Sequence, residues 1–414
     1  MKKSYKRLIF ITIILLFIIG CSSQEQEPEP EDKVNPAPEG VPSTDQPVEP
    51  PILETDEIQE QVDKMTLEEK VGQLLIVGFE GIELNDITRE YIEELGVGGL
   101  IFFTRNIESK EQVTTLVQDI NDISDIPLFL AIDEEGGKVS RLPREFIKLP
   151  DAIDIGNTED YDLAFEYGKL LANRVKSLGL NLNFAPVMDI HSNPSNPVIG
   201  KRAFGTRPEI VSEMGIQLAN GIRSVNIIPS IKHFPGHGDT STDSHMELPI
   251  IDKTIDELRE FELIPFKKAI KEDIEMIMSA HILIPSIDEE YPATLSKKLL
   301  ADILREEMGY EGVIISDDMT MSAIIDNYSL EEASIDFLQA GGDIILICHG
   351  VENPSLVFDK IMENIESKEL TVEEIDEKVY RILELKNRYL NDEIIDINIE
   401  DLNTAAEDII SRLK

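Results

Sequence analysis

Short apolar runs, rich in β-branched residues, recur along the chain and alternate with amphipathic segments. The runs are QLLIVGF (73–79), GGLIFF (98–103), PLFLAID (127–133), LNLNFAPV (180–187), IIPSIKHF (227–234), EMIMSAHI (275–282), GVIISDD (312–318) and GDIILIC (342–348). Between them lie stretches of helical period, such as 109–123, 207–225 and 296–308. Near-continuous apolar runs suit parallel strands covered on both faces. Eight of them, alternating with helices over residues 55–392, predict an α/β fold of the (β/α)8, TIM-type barrel kind in one domain, rather than a doubly wound sheet. The G-x-G-x-x-G phosphate loop is absent, which also weighs against a dinucleotide site.

The ends of the chain break this pattern. Lys2, Lys3, Lys6 and Arg7 precede the apolar run LIFITIILLFII (8–19), which is too short for an ordinary membrane span and suits a signal segment. It ends in Ile18-Ile19-Gly20-Cys21, which resembles a bacterial lipobox. Residues 1–20 are therefore expected to be a lipoprotein signal peptide. Lipid on Cys21 would then hold the protein on the outer face of the cell membrane without spanning it. Residues 21–54 are dominated by proline and glutamate and read as an extended tether that cannot bury a core. Residues 393–414 read as a C-terminal extension. No second α/β domain is expected after the barrel, so the whole site should come from the barrel and its loops.

Charge and cysteine content narrow the chemistry. With 38 basic against 81 acidic residues the net charge is −43, a field that opposes nucleic-acid binding. Apart from Cys21 there is only Cys348, in an apolar run, so neither a disulfide framework nor a C-x-x-C metal pair is present. Cys348 reads as a core residue.

A barrel places its chemistry at the C-terminal ends of the strands and in the loops that follow. Read in that order, the third run ends in Asp133, before EEGGKVSR. Asp189 and then NPVIGKRAFG follow the fourth. The fifth ends in Lys232-His233 and opens into PGHGDTSTDSH, so residues 232–245 hold three of the six histidines. His281 lies near the end of the sixth, and the seventh ends in Asp317-Asp318. His233 and His237 are four apart, but Pro235 and Gly236 between them rule out helical metal-ligand spacing, and no metal or other cofactor is expected.

Taken together, KHFPGHGDT, DSH, AIDEEGGKVSRL, NPVIGKRAFG, SAHILIP, YPATLS and SDDMTM resemble family 3 glycoside hydrolases. The match is nearest their β-N-acetylglucosaminidase branch of peptidoglycan-recycling type, over about residues 58–390. The resemblance implies retaining glycoside cleavage, which needs a nucleophile and a proton donor on either side of the anomeric carbon. It makes Asp317, the first acid of its pair, the nucleophile, and a strand end can hold that carboxylate rigidly. Asp318 should point the other way and orient the next loop. No second carboxylate stands out as the acid. The resemblance gives that part to His245 of the D-S-H triplet. Asp243, two residues earlier in an extended loop, can face the same way and orient the imidazole. Gly236, Gly238 and the Ser/Thr run read as a loop able to close over substrate.

The same resemblance implies that Asp133, Arg141, Arg202, Lys232 and His233 hold the sugar. Arg141 could instead orient Asp133. Asp189 is expected to brace Arg202 or Lys232, and His237 to hold the shape of its loop. His281 is either a strand-end packing residue or a pocket wall. His191 and His349 read as structural or peripheral. Tryptophan is absent, which argues against a long platform for polysaccharide chains and for an exo-acting pocket. The expected activity is hydrolysis of terminal GlcNAc from muropeptides or chitooligosaccharides by a monomer that needs no cofactor. A phosphorylase using the same histidine, a β-glucosidase, and a non-catalytic sugar-binding lipoprotein remain as alternatives. The D-S-H loop argues against the β-glucosidase, and the coexistence of Asp317, Asp243 and His245 argues against the last.

Overall fold

The computed structural model describes residues 56–241, 243, 247–390 and 396–413. The expected signal and tether segments with Cys21, His245, which is expected to carry the proton, and the junction expected at 392/393 lie outside these residues.

Each apolar run contains one strand: β1 (Leu75–Gly78), β2 (Gly99–Phe102), β3 (Phe129–Ile132), β4 (Leu182–Asn183), β5 (Ile228–Phe234), β6 (Met276–Ser279), β7 (Val313–Ile315) and β8 (Ile345–Ile347). They form one parallel sheet in the order β7-β6-β5-β4-β3-β2-β1-β8. A further parallel bridge, Ile315 to Ile344, brings its two edges together. The result is the (β/α)8 barrel that the alternating pattern predicts. Nearly every strand residue is buried, as expected where helices cover the outside and side chains fill the inside.

The edges are held by charge as well as by backbone. Asp343, just before β8, is fully buried and accepts from the Ile314 amide of β7 at 2.7 Å. Arg305 and Arg381 clamp the same carboxylate, Arg381 at 2.8 Å. Burial raises an acid in this place, but the two guanidiniums outweigh it and hold Asp343 below the usual carboxylate range. Arg305 belongs to the Lys298–Glu307 helix, which is of π type: Met308 donates back five residues to Ile303.

The Tyr161–Ser177 and Pro208–Arg223 helices lie side by side behind β4 and β5. Their close approach depends on two glycines. A Cβ on Gly168 would stand 2.1 Å from Leu218 O, and one on Gly221 2.1 Å from Phe165 O. The C-terminal region is not a loose tail. Its Ile399–Arg412 helix buries Leu402, Ala406 and Ile409 and packs on the Tyr161–Ser177 helix, while Asn403 bonds the backbone of Ile147 and Glu145. Among the described residues no helix is long and apolar enough to cross a membrane.

Candidate active site

The cluster begins where β3 ends. Asn183 of β4 grips Glu134 by both backbone groups: Oδ1 accepts from the Glu134 amide at 3.0 Å and Nδ2 donates to its carbonyl at 2.9 Å. With that register fixed, strand alternation turns Asp133 and Glu135 toward the barrel mouth and Glu134 beneath the loop. Glu134 accepts the Arg141 amide at 3.1 Å, and burial pushes its carboxyl up to about 7. Gly136 and Gly137 have φ of 80° and 54°, the left-handed region in which the chain can turn back at once.

Asp133 and Glu135 meet two cations. Lys232, near the end of β5, donates to Asp133 Oδ1 at 2.6 Å and Glu135 Oε1 at 2.7 Å. Arg202 makes a two-pronged pair with Glu135, Nε at 2.8 Å and Nη2 at 2.7 Å. Burial alone would raise Glu135, but Arg202 and Lys232 overcome it and hold the carboxyl far below its ordinary value. Burial likewise opposes the charge on Lys232, and Asp133 with Glu135 overcomes that, keeping it an ammonium. Among the described residues two of its three N–H bonds are thus taken. Arg141 Nη2 stands 3.8 Å from Asp133 Oδ2, which leaves that oxygen facing the pocket.

His233 comes next to Lys232. Its Nδ1 lies 2.6 Å from Asp189 Oδ2, and Arg202 Nη2 lies 3.4 Å from its Nε2. A proton on Nδ1 faces Asp189 there. Asp189 also accepts the amides of His233 at 3.2 Å and His237 at 2.6 Å. This corrects the expectation for Asp189: its hydrogen bonds brace His233 and the start of the histidine loop, and only its charge reaches Arg202. His237 is buried, with Nδ1 2.8 Å from Thr240 Oγ1. Burial drives its pKa down to about 4, with His233 adding to the effect, so the ring is neutral. Asp243 lines the same pocket.

At the tip of β7, Asp317 is partly open to the pocket and accepts the amide of Asp318 at 2.8 Å. Burial raises its carboxyl, but His281, His233, that amide and Lys232 more than offset it and hold Asp317 below its usual range, ionised. Asp318 turns aside: Oδ1 accepts from Thr320 Oγ1 at 2.6 Å and the Cys348 amide at 3.0 Å, which fixes the loops after β7 and β8. His281 is wholly buried beneath this pair, with Nε2 donating to Asp318 O at 2.9 Å and Nδ1 2.9 Å from Thr294 Oγ1.

The pocket encloses about 300 Å³, at the small end of ligand sites. Asp133, Arg141, Arg202, Lys232, His233, Asp243 and Asp317 all line it. Glu135, Phe103 and His349 line it as well; the first two carry no expectation from the sequence, and His349, read there as structural or peripheral, stands at the pocket wall. Phe103 and His349 face each other at the rim with ring centres 5.7 Å apart, and the Arg141 guanidinium lies 5.8 Å from the Phe103 ring. The signal for Glu135 was available, since it shares strand parity with Asp133. Nothing in the sequence marks Phe103, an apolar residue in an apolar run. The arrangement offers an ionised carboxylate at the floor and fixed donors and acceptors around it, as needed to hold one polyhydroxylated ring against a nucleophile.

Comparison with known proteins finds glycoside hydrolases. Residues 66–385 match the glycosyl hydrolase family 3 N-terminal domain. The chain is 34% identical over 326 residues to β-hexosaminidase A of Pseudoalteromonas piscicida, covering 72% of this chain and 54% of that one, about half its length. It is 37% identical over 281 residues to a β-hexosaminidase of Nitrosomonas eutropha, covering 66% of this chain and 80% of the other. Among solved structures, a glycoside hydrolase family 3 β-N-acetylglucosaminidase from Paenibacillus sp. FPU-7 superposes with a TM-score of 0.81 at 36% identity, over 83% of this chain and 68% of that one.

Proposed function

The chain belongs to glycosyl hydrolase family 3, and from that premise we propose that it releases terminal, non-reducing N-acetylglucosamine by a retaining, two-step hydrolysis. The observation that supports this reading best is the ionised Asp317 at the β7 tip, set in a small pocket walled by Asp133, Arg202, Lys232 and His233. In the first step an Asp317 oxygen attacks the anomeric carbon. The bond to the leaving oxygen breaks, and that oxygen takes a proton from His245. In the second step His245 removes a proton from water, the water oxygen bonds the anomeric carbon, and Asp317 leaves as carboxylate. Asp243 orients the imidazole. The lone pairs of Asp133 and the third N–H of Lys232 bind sugar hydroxyls.

The substrates are wall-derived muropeptides or the ends of chitooligosaccharides, met by an enzyme tethered through lipid on Cys21 at the outer face of the membrane. The test uses 4-nitrophenyl glycosides of GlcNAc and glucose, with and without phosphate, beside Asp317→Asn. Release of free GlcNAc from the first compound alone, lost in the variant, is expected. Glucoside cleavage at comparable rate, or GlcNAc 1-phosphate as the main product, would overturn the reading.

A further inference from the structure

Among the described residues Glu135 makes no hydrogen bond to Asp317, yet it accepts three from two buried cations. It is 7% exposed and spends both oxygens on cations that belong to other elements: Arg202 from the loop after β4, and Lys232 from β5. Among the described residues Arg202 has no hydrogen bond to another carboxylate, and Lys232 has one other, Asp133. Arg202's other side-chain contacts among the described residues are the Val198 carbonyl at 3.5 Å and the His233 ring at 3.4 Å. Lys232 would be left with Asp133, whose other oxygen is the acceptor turned to the pocket. Asp133, Glu135, Arg202 and Lys232 together sum to zero charge. This balance allows two cations to stay charged and dry side by side.

We infer that Glu135 is a positioning residue: by gripping Arg202 with two hydrogen bonds and Lys232 with one, it sets the directions in which both cations present their remaining N–H groups to the sugar, and it frees Asp133 to accept from hydroxyls. The inference rests on the pocket being a sugar site. A glutamine at this place keeps the shape, but its amide group turns N–H toward a cation, so one of the two must let go. The ring would then be held less well in the ground state and the transition state alike, which raises KM more than it lowers kcat.

The experiment is a double-mutant cycle of Glu135→Gln and Arg202→Gln on 4-nitrophenyl GlcNAc, with crystal structures of the wild type and Glu135→Gln. Glu135→Gln is expected to raise KM on the order of ten- to a hundredfold, with the smaller change in kcat. The double variant, again charge-balanced, should fall within about threefold of Arg202→Gln alone. A Glu135→Gln enzyme with wild-type KM, or a double variant in which the two losses multiply, overturns the inference. If Glu135→Gln does not fold, the comparison of the double variant with Arg202→Gln decides in the same way. If the wild type cleaves no glycoside, the functional reading fails by itself. The crystal structures then decide: Arg202 and Lys232 unmoved in Glu135→Gln contradict a positioning role, and either one displaced supports it.

Discussion

Asp189 Oδ2 lies 2.6 Å from His233 Nδ1, and the two groups are 0% and 6% exposed. The same carboxylate takes the amides of His233 and His237, so one buried acid fixes the ring and the backbone that leads into the histidine loop. Burial raises the Asp189 carboxyl and the histidines with those amides bring it below the usual range, so it is an anion through the working pH range.

Asp189→Asn keeps an acceptor for the amides but sets an N–H against His233 Nδ1–H. The imidazole must change tautomer or turn, and its contact with Arg202 is lost. The expected loss in kcat/KM for the GlcNAc glycoside is about 10- to 100-fold, with little change in melting temperature. An unchanged kcat/KM would show that the orientation of His233 does not matter to the reaction.

The two limbs of the pH profile should have separate owners. Burial raises Asp317 and its neighbours lower it, so the limb on which the nucleophile is protonated should fall below the ordinary aspartate value of 3.8. On the other side, activity should decline as His245 loses its proton. His245→Ala should remove that alkaline limb for activated aryl glycosides and leave the acid limb in place. For unactivated leaving groups it should cost roughly two to four orders of magnitude in rate. Equal losses for both substrate types would assign the proton to another group.

Lys386 is 3% exposed, bonded to Gln73 Oε1 at 2.6 Å and set 5.0 Å from the Phe129 ring. Burial lowers its pKa from 10.5 to about 7. Below 7 both the folded and the unfolded chain hold the proton, and the whole cost of burying the charge is present. Between 7 and 10 only the unfolded chain holds it, so this group makes the fold more stable as pH rises, by ~1.4 kcal/mol per unit. Lys386→Met should raise the melting temperature at pH 6 and narrow its lead over the wild type by pH 10. A variant less stable than the wild type at pH 6 would mean that the ammonium is well solvated where it lies.

Gly238 sits where the histidine loop passes the chain after β4. A Cβ there would stand 1.7 Å from Ile190 O, a backbone atom that cannot swing away. Gly238→Ala should destabilise the fold by about 1–3 kcal/mol. An unchanged melting temperature would show that this crossing is looser than drawn.

The strands were legible because both faces of each are buried, and that writes itself as a continuous apolar run; Ile345–Ile347 is such a case. The ends of those runs led to Asp133, Lys232, His233 and Asp317, because an ionisable residue directly after an apolar run is conspicuous. Other features depend on pairings across the barrel that no local pattern encodes. Asp189 reads from the sequence as a brace for Arg202 or Lys232, but its partners are set by the path of the loop after β5, not by spacing. Glu135 shares strand parity with Asp133, but in so acidic a chain a glutamate there looks like surface charge. The π geometry of Lys298–Glu307 keeps the apolar period of an ordinary helix and so looks like one. The Ile399–Arg412 helix was readable from Leu402, Ala406 and Ile409, four and three residues apart, but lies beyond the last strand pattern.

Covalent participation of Asp317 is the claim on which the mechanism stands. Incubating the enzyme with a fluorinated GlcNAc analogue bearing a good leaving group, then mapping the labelled peptide by mass spectrometry, tests it directly. A single glycosyl ester on Asp317 is the predicted result. An ester on Asp318 or on any other side chain, with Asp317 unmodified, would contradict it.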